Sequence, residues 1–508
     1  MTEGKLLMSR KITCLNLIIS VISTSIALIL GLIVPRIVLI YYGSDTNGLI
    51  GTITQIFSYM ALLEAGIGQA ALNALYGPIQ KNDKQAIADI YASSRSYFKR
   101  VTNVYAILVL LLSFVLPVII KSELEYFTIF GCVFFEGAAG VINFYYIQTD
   151  SILLVADGRT YIKSIIELIH KVLGYSMKIW LALLAVKILY VQFGFFILSL
   201  IKMLLYHREM VVHYPWLVKN KSFTHIVLPY RRSFLITELA WIIFSSTDLI
   251  VLSFFCSTKL ASVYSVNSLI YSALNALIYA AYGGIYYLLG KTYHEDKNKY
   301  IHVHDLFNSF FMSLVVISMS VALLLSEGFV KLYTNRVQDI QYVYHWLPLM
   351  FCLVQILSWS RFVSGNLTSI AGYAKQVSYV SIIEAAINIS LSIILVHFCG
   401  IYGVLFATVV ALPIKVIYTN YISDIKILRR SPKKTVSIFI LNYLVFAVAI
   451  IINQNINITF DSYKTFVAYG FLLAVVFSVF VFVLNSILNP DLRHGVLEIR
   501  SIIFSRLR

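Results

Sequence analysis

The sequence predicts an all-α polytopic membrane protein of about fourteen transmembrane helices. They are expected to form two parallel, pseudo-symmetric six-helix bundles around a central cavity, with two further helices at the C-terminal end. Three observations lead there: the composition, the spacing of the apolar runs, and the sidedness of the basic residues. Of 508 residues, 59% are hydrophobic and only 13% are charged, about half the charge usual in a soluble chain. Such a chain cannot cover a water-facing surface. A disordered protein and a soluble enzyme built on one apolar core are both excluded.

Apolar runs of roughly 20 residues, the length a helix needs to cross ~30 Å of hydrocarbon, occur at 12–42, 47–75, 101–120, 127–154, 161–183, 188–211, 232–255, 260–289, 306–326, 341–369, 377–397, 401–424, 435–453 and 465–488. The first is too long for a signal-peptide core and a second follows at once, so it reads as a retained helix. With the N-terminus inside, 28 of the 40 lysines and arginines lie in or beside the inner loops and six in the outer ones. That bias fits an even helix count, with both termini cytoplasmic in a cell inner (plasma) membrane. The formal charge of +16 then marks orientation, and no nucleic-acid partner is expected. Cys14, Cys132, Cys256, Cys352 and Cys399 are scattered without a CxxC pair or nearby histidine, so neither a disulfide framework nor a metal site is expected.

Between the second and third runs, Ile87, Ile90, Tyr91, Tyr97 and Phe98 recur at helical spacing beside Lys84, Arg95 and Lys99. This pattern predicts a helix lying on the cytoplasmic membrane surface. The outer loops are all short and leave no room for an outer domain.

The chain also repeats itself. IVLIYYGSDTNGLIG at Ile37–Gly51 aligns without gaps to IVLSFFCSTKLASVY at Ile250–Tyr264, an offset of 213, and SIIE at Ser164–Glu167 recurs at Ser381–Glu384, an offset of 217. Both matches place helix n on helix n + 6. Because six is even, the two copies share one membrane orientation. The expected division is an N-terminal lobe at 1–211, a cytoplasmic linker at 212–231, a C-terminal lobe at 232–424, and two added helices with a basic tail at 425–508.

Thirteen ionisable residues besides histidine fall inside these spans: Arg36, Lys171, Lys178, Lys202, Arg361 and Lys415, with Glu64, Glu136, Asp150, Glu167, Glu238, Asp248 and Glu384. A charge at mid-membrane costs roughly 2.5–3.5 kcal/mol on insertion scales, so these side chains are expected to face protein or water. Asp150 and Lys202, near helix ends, can instead snorkel. On helix 5, Glu167, His170, Lys171, Gly174 and Lys178 share one stripe, with Glu167 and Lys171 at the spacing of an ion pair. Similar stripes run through Glu136, Gly140, Asn143 and Asp150 on helix 4, Glu238, Trp241, Ser245 and Asp248 on helix 7, and Ser381, Glu384, Asn388 and Ser392 on helix 11. Glu64 lies off the polar stripe of helix 2. Stripes on several helices suggest a shared water-filled cavity, or else polar contacts between helices. Arg36 follows Pro35, where helix 1 is expected to bend, and an arginine there suits two-point binding of a phosphate.

The run NGLIGTITQIFSYMALLEAGIGQAALNALYGPI at Asn47–Ile79 resembles the second-helix signature of oligosaccharide-lipid flippases in the multidrug, oligosaccharidyl-lipid and polysaccharide exporter superfamily. LLVADGRTYIKSIIE at Leu153–Glu167, STDLIVLSFF at Ser246–Phe255 and SIIEAAINISLSIILVHFCGIYGVLFATVVA at Ser381–Ala411 are similar to later segments of that family. The resemblance extends over most of helices 1 to 12. It implies two six-helix lobes around a cavity, usually with two added helices, and transport of an undecaprenyl-diphosphate-linked repeat unit to the outer leaflet for O-antigen, capsule or exopolysaccharide assembly. It also implies membrane lipids as surroundings and a polymerase or other assembly proteins as partners. Related lipid II flippases carry an essential arginine late in helix 1. Arg36 sits at a similar spacing before Gly43, although Ile37 stands where those relatives have aspartate.

On this reading the lobes alternate in access, and Arg36, Lys171, Lys178 and Arg361 attract the diphosphate. Glu167, Glu238, Asp248 and Glu384 balance those charges or carry a coupling proton or sodium ion; no other cofactor is expected. A cation-coupled multidrug exporter of the same superfamily is the alternative, expected to stop at twelve helices with a more acidic lining. A membrane polysaccharide polymerase is a third reading, expected to place its catalytic groups in a sizeable outer loop. The loop between helices 9 and 10 carries Lys331, Arg336 and His345 but is short, and no Walker A pattern occurs. An enzyme is therefore not expected.

Overall fold

In hydrocarbon a backbone must satisfy its own hydrogen bonds, and for apolar runs of this length the α-helix does so locally. The computed structural model describes residues 3–60, 67–219, 247–456 and 458–493, and all regular structure among them is helical. The helices are α1 (Glu3–Met60), α2 (Ile67–Lys81), α3 (Lys84–Ile119), α4 (Tyr126–Ile142), α5 (Gln148–Ala156), α6 (Thr160–Leu183), α7 (Ile188–His213), α8 (Pro215–Lys219), α9 (Thr258–Glu295), α10 (Lys297–Tyr333), α11 (Leu347–Trp359), α12 (Phe362–Ile370), α13 (Ala374–Cys399), α14 (Ile401–Tyr421), α15 (Lys433–Asn455) and α16 (Tyr463–Leu488). A π-helical turn at Asn143–Ile147 joins α4 to α5, and another at Ile422–Ile427 extends α14.

Eleven described segments are long and apolar enough to cross a membrane. One of them, Ile22–Met60, holds most of the first predicted span and the first part of the second, whose described remainder, 67–75, lies in α2. The two spans separate at Gly43, where φ is 81° and ψ 174°. Glycine adopts that left-handed backbone without a Cβ penalty. The fifth predicted span is α6, whose apolar length is interrupted by Lys163, Glu167, Lys171 and Lys178. Most of the seventh lies outside the described residues, and its described end, 247–255, is helical. Among the described residues, helix order therefore agrees with the predicted runs.

By contact density the chain forms two compact units, Met1–Ser262 and Val263–Arg508. In the first, a core of Ile67, Leu75, Ile87, Tyr91, Phe98, Leu153, Ile166 and Tyr206 unites α2, α3, α5, α6 and α7. Asn16 of α1 fixes the turn before α6, donating to the Gly158 carbonyl (2.9 Å) and accepting from the Tyr161 amide (2.7 Å). The predicted surface helix at Asp83–Arg100 is corrected here. Asp83 caps α3 by accepting from the Ala86 amide, the helix runs unbroken into the third span, and Ile87, Ile90, Tyr91 and Phe98 are buried in this core. The apolar face meets protein instead of lipid.

The second unit is built on α10, the most buried of the candidate spans. Both C-terminal helices pack along it. Between α15 and α16, Asn442 and Asn485 exchange amide hydrogen bonds of 3.1 and 3.3 Å while fully buried. Polar pairs of this kind hold helices together where lipid supplies no hydrophobic drive.

Candidate functional site

The first unit places a polar cluster among α4, α6 and α7. A cavity of about 250 Å³ there is lined by Glu136, Asn143, His170, Ser199 and Lys202, with Phe57, Tyr105 and Phe195 among its apolar walls. Lys202 is 9% exposed. Its Nζ lies 2.8 Å from Glu167 Oε1 and 3.4 Å from Asn143 Oδ1. Gln192, also buried, donates to Glu136 Oε2 at 3.5 Å. Lys178 stacks its ammonium 4.5 Å from the centre of the Phe195 ring and feels the charge of Glu136. Among the described residues, the buried Nε2 of His170 makes no hydrogen bond. Cations inside an apolar bundle are held by carboxylates, an amide and an aromatic face, which together replace part of their hydration.

In the second unit, the tenth predicted span, 341–369, breaks between α11 and α12, and Arg361 stands at the break. The amide of Asn420 satisfies the Ser360 carbonyl at 3.0 Å. Arg361 Nη1 lies 2.5 Å from Glu384 Oε1, and Lys415 Nζ lies 3.9 Å from Glu384 Oε2. Further along α13, Asn388 donates to Thr408 Oγ1 at 2.8 Å. Ser381, Glu384, Asn388 and Ser392 are all buried.

The repeat explains part of this geometry. Glu167 and Glu384 end the two SIIE copies. Each meets a lysine from the following span of its own unit, Lys202 on α7 and Lys415 on α14.

No protein-family model and no curated protein sequence matches the chain. Solved structures do. A lipid II flippase, MurJ, in an inward closed conformation aligns with TM-score 0.65 at 15% identity, covering 92% of this chain and 99% of that one. An inward-facing MATE family multidrug resistance transporter of the MOP superfamily aligns with TM-score 0.61 at 13% identity, covering 83% and 95%. A MOP superfamily transporter from Pyrococcus furiosus, whose pocket of reverse polarity is said to suggest a different function, aligns with TM-score 0.54 at 13% identity, covering 83% and 97%. The chain has the MATE/MurJ-like transporter fold.

Within that fold the predicted site residues occupy separate places. Arg36 is half-buried on α1, one residue after Pro35. Lys178 and Glu167 belong to the cluster of the first unit, whereas Lys171 is exposed on α6 beside exposed Val172 and Leu173. Glu167 takes Lys202 as its partner, in place of the expected Lys171. Arg361 and Glu384 belong to the buried group of the second unit. Asp248 is half-buried, next to Thr247, which shares a 2.5 Å hydroxyl contact with Tyr59. Glu238, with Glu64, Trp241 and Ser245, lies outside the described residues.

Two residues for which snorkelling is the alternative to facing protein or water are buried. Lys202 has the partners given above. Asp150, 7% exposed, accepts a 2.6 Å hydrogen bond from Tyr91, whose oxygen in turn accepts from Arg95 at 3.2 Å. Asp150 also leaves the stripe of Glu136, Gly140 and Asn143. The π-helical turn at Asn143–Ile147 adds a residue to one turn and rotates everything after it by about 100°. At the far end of α10, His345 Nδ1 meets Glu327 Oε1 at 3.0 Å, a pairing that loop length alone did not suggest.

Proposed function

We propose that this chain is a transporter that moves undecaprenyl-diphosphate-linked oligosaccharide repeat units from the cytoplasmic to the outer leaflet by alternating access, in the biosynthesis of O-antigen, capsule or exopolysaccharide. The observation that carries the reading is that Lys202 and His170 line a cavity inside the apolar length of one unit, and that Lys178 packs its ammonium on Phe195, one of that cavity's walls. A diphosphate cannot enter hydrocarbon without replacement solvation, and membrane-embedded cations supply it. Coverage of nearly the whole lipid II flippase structure supports the same reading. Arg36, Lys171, Lys178 and Arg361 attract the headgroup. Glu167, Glu238, Asp248 and Glu384 balance charge or carry a coupling proton or sodium ion. The polyprenyl tail stays in lipid, and polymerase or other assembly proteins receive the product.

Deleting the protein is expected to leave intact lipid-linked single repeat units on the inner leaflet, and Arg36→Glu or Lys178→Met to abolish surface polysaccharide at unchanged membrane abundance. Repeat units found on the outer leaflet after deletion would point to a polymerase. Unchanged polysaccharide with a lost efflux of organic cations would point to a multidrug exporter.

A further inference from the structure

A second cavity, of about 380 Å³, opens in the second unit where the end of α9, the start of α10, the turn before α13 and the end of the π-helical turn at Ile422–Ile427 with the residues after it come together. That volume lies within the ~300–1,000 Å³ usual for small-molecule sites. Lys297, Lys426 and Arg429 line it, with the rings of Tyr293 and Tyr373 and the apolar side chain of Leu428. No carboxylate is among its lining residues. The nearest one in sequence, Asp296, is engaged in capping α10, accepting from the amides of Asn298 (2.8 Å) and Lys299 (3.2 Å).

The two adjacent arginines here have opposite surroundings. Arg430 binds Asp305 at 2.6 Å and Asp424 at 2.8 Å, both carboxylates being fully buried. Arg429 has φ of 51°, a left-handed backbone uncommon outside glycine, and its exposed side chain lines the cavity. The ion pairs of Arg430 anchor the backbone that carries Lys426 and Arg429, and no carboxylate of the cavity wall neutralises them. Lys297 also sits 5.6 Å from the Tyr293 ring centre.

We propose that this cavity binds a phosphate group, and its aromatic and apolar walls favour the headgroup of an anionic phospholipid as the source. Three converging cations without a carboxylate suit a phosphate oxygen cluster. The site is distinct from the cluster of the first unit and does not rest on the transport reading.

The test uses the full chain in neutral detergent, with fluorescent phosphatidylglycerol as the probe. Unlabelled phosphatidylglycerol should displace it and phosphatidylcholine should not. Lys297→Gln, Lys426→Gln and Arg429→Gln together should weaken binding roughly a hundredfold, at about fivefold per cation. A control removes the same charge outside the cavity, at exposed Lys299, Lys375 and Lys433, and should change binding less than threefold. Both variants are first checked for an unchanged thermal unfolding midpoint, and single substitutions replace any triple that fails. Displacement by inorganic pyrophosphate as strong as by the lipid would keep the phosphate site and assign it to a soluble ligand. Equal losses in both triples, or none in the first, would overturn it.

Discussion

Thr258 donates its hydroxyl to the carboxylate of Asp45, 213 residues away, and the two residues occupy the same position in the two copies of the repeated motif. Equivalent positions touch only where the copies face each other. Asp45 also accepts from the Ser122 hydroxyl and the Glu123 amide, each at 2.8 Å. The carboxylate thus gathers three donors from two other segments. Removing it leaves them unpaired, so Asp45→Ala should destabilise the protein by about 2–4 kcal/mol. Thr258→Val removes one donor and should cost about 1 kcal/mol. Thermal unfolding in detergent measures both, and equal tolerance of the two would contradict this account.

The same meeting point explains a glycine. A Cβ on Gly48 would fall 1.7 Å from the Thr258 carbonyl oxygen, whereas one on Gly77 would meet nothing within 4 Å. Gly48→Ala must push backbone from backbone and is expected to cost about 1–3 kcal/mol. Gly77→Ala, in the open interior of α2, should instead stabilise by about 0.5–1 kcal/mol through the lower entropy of the unfolded chain. Opposite signs in the unfolding midpoint are the readout.

Glu384 serves two cations, Arg361 and Lys415, and this asymmetry fixes the order of mutational effects. The Arg361 and Glu384 side chains are 7% and 2% exposed. Glu384→Ala leaves two cations facing each other, whereas Arg361→Ala leaves Glu384 with Lys415. Breaking a buried pair costs about 3–5 kcal/mol, so Glu384→Ala should reach or pass the top of that range and Arg361→Ala should fall at its lower end. Replacing Arg361, Glu384 and Lys415 together with methionine should recover much of the loss. A larger effect from Arg361→Ala than from Glu384→Ala would refute the assignment of Lys415 as second partner.

The fold was largely legible in the sequence because membrane helices are defined by length and hydropathy, which local composition reports directly. The repeat was legible too, down to the pairing of Asp45 with Thr258 as equivalents. The site was less so. A straight 100° helical phase placed Glu136 and Asn143 correctly on one face but could not see the π-helical turn that turns Asp150 away. Proximity to a helix end suggested snorkelling for Lys202, and only three-dimensional packing supplies Glu167 and Asn143 as its partners. The amphipathic pattern of Asp83–Arg100 fits a membrane surface and a protein core equally, since both offer one apolar side; the neighbours α2 and α5 decide it.

The ion network under the second cavity sets its own hierarchy. Arg430 holds two carboxylates, Asp305 and Asp424, that are fully buried, while Lys434 reaches Asp305 at 3.1 Å with its side chain 40% exposed. Arg430→Met takes the cation from buried Asp424 and leaves buried Asp305 with only Lys434 and His304, so it should cost about 3–5 kcal/mol. Lys434→Met loses contacts to Asp305 and Asp491 that are made by a side chain already screened by water, and should cost about 1 kcal/mol or less. Because Arg430 also anchors the backbone beside Arg429, its loss should weaken phosphatidylglycerol binding even at temperatures where the protein stays folded, whereas Lys434→Met should leave that binding unchanged. Unfolding midpoints and the lipid-binding measurement on the same two variants separate these effects, and equal behaviour of the two would mean that the network does not organise the cavity.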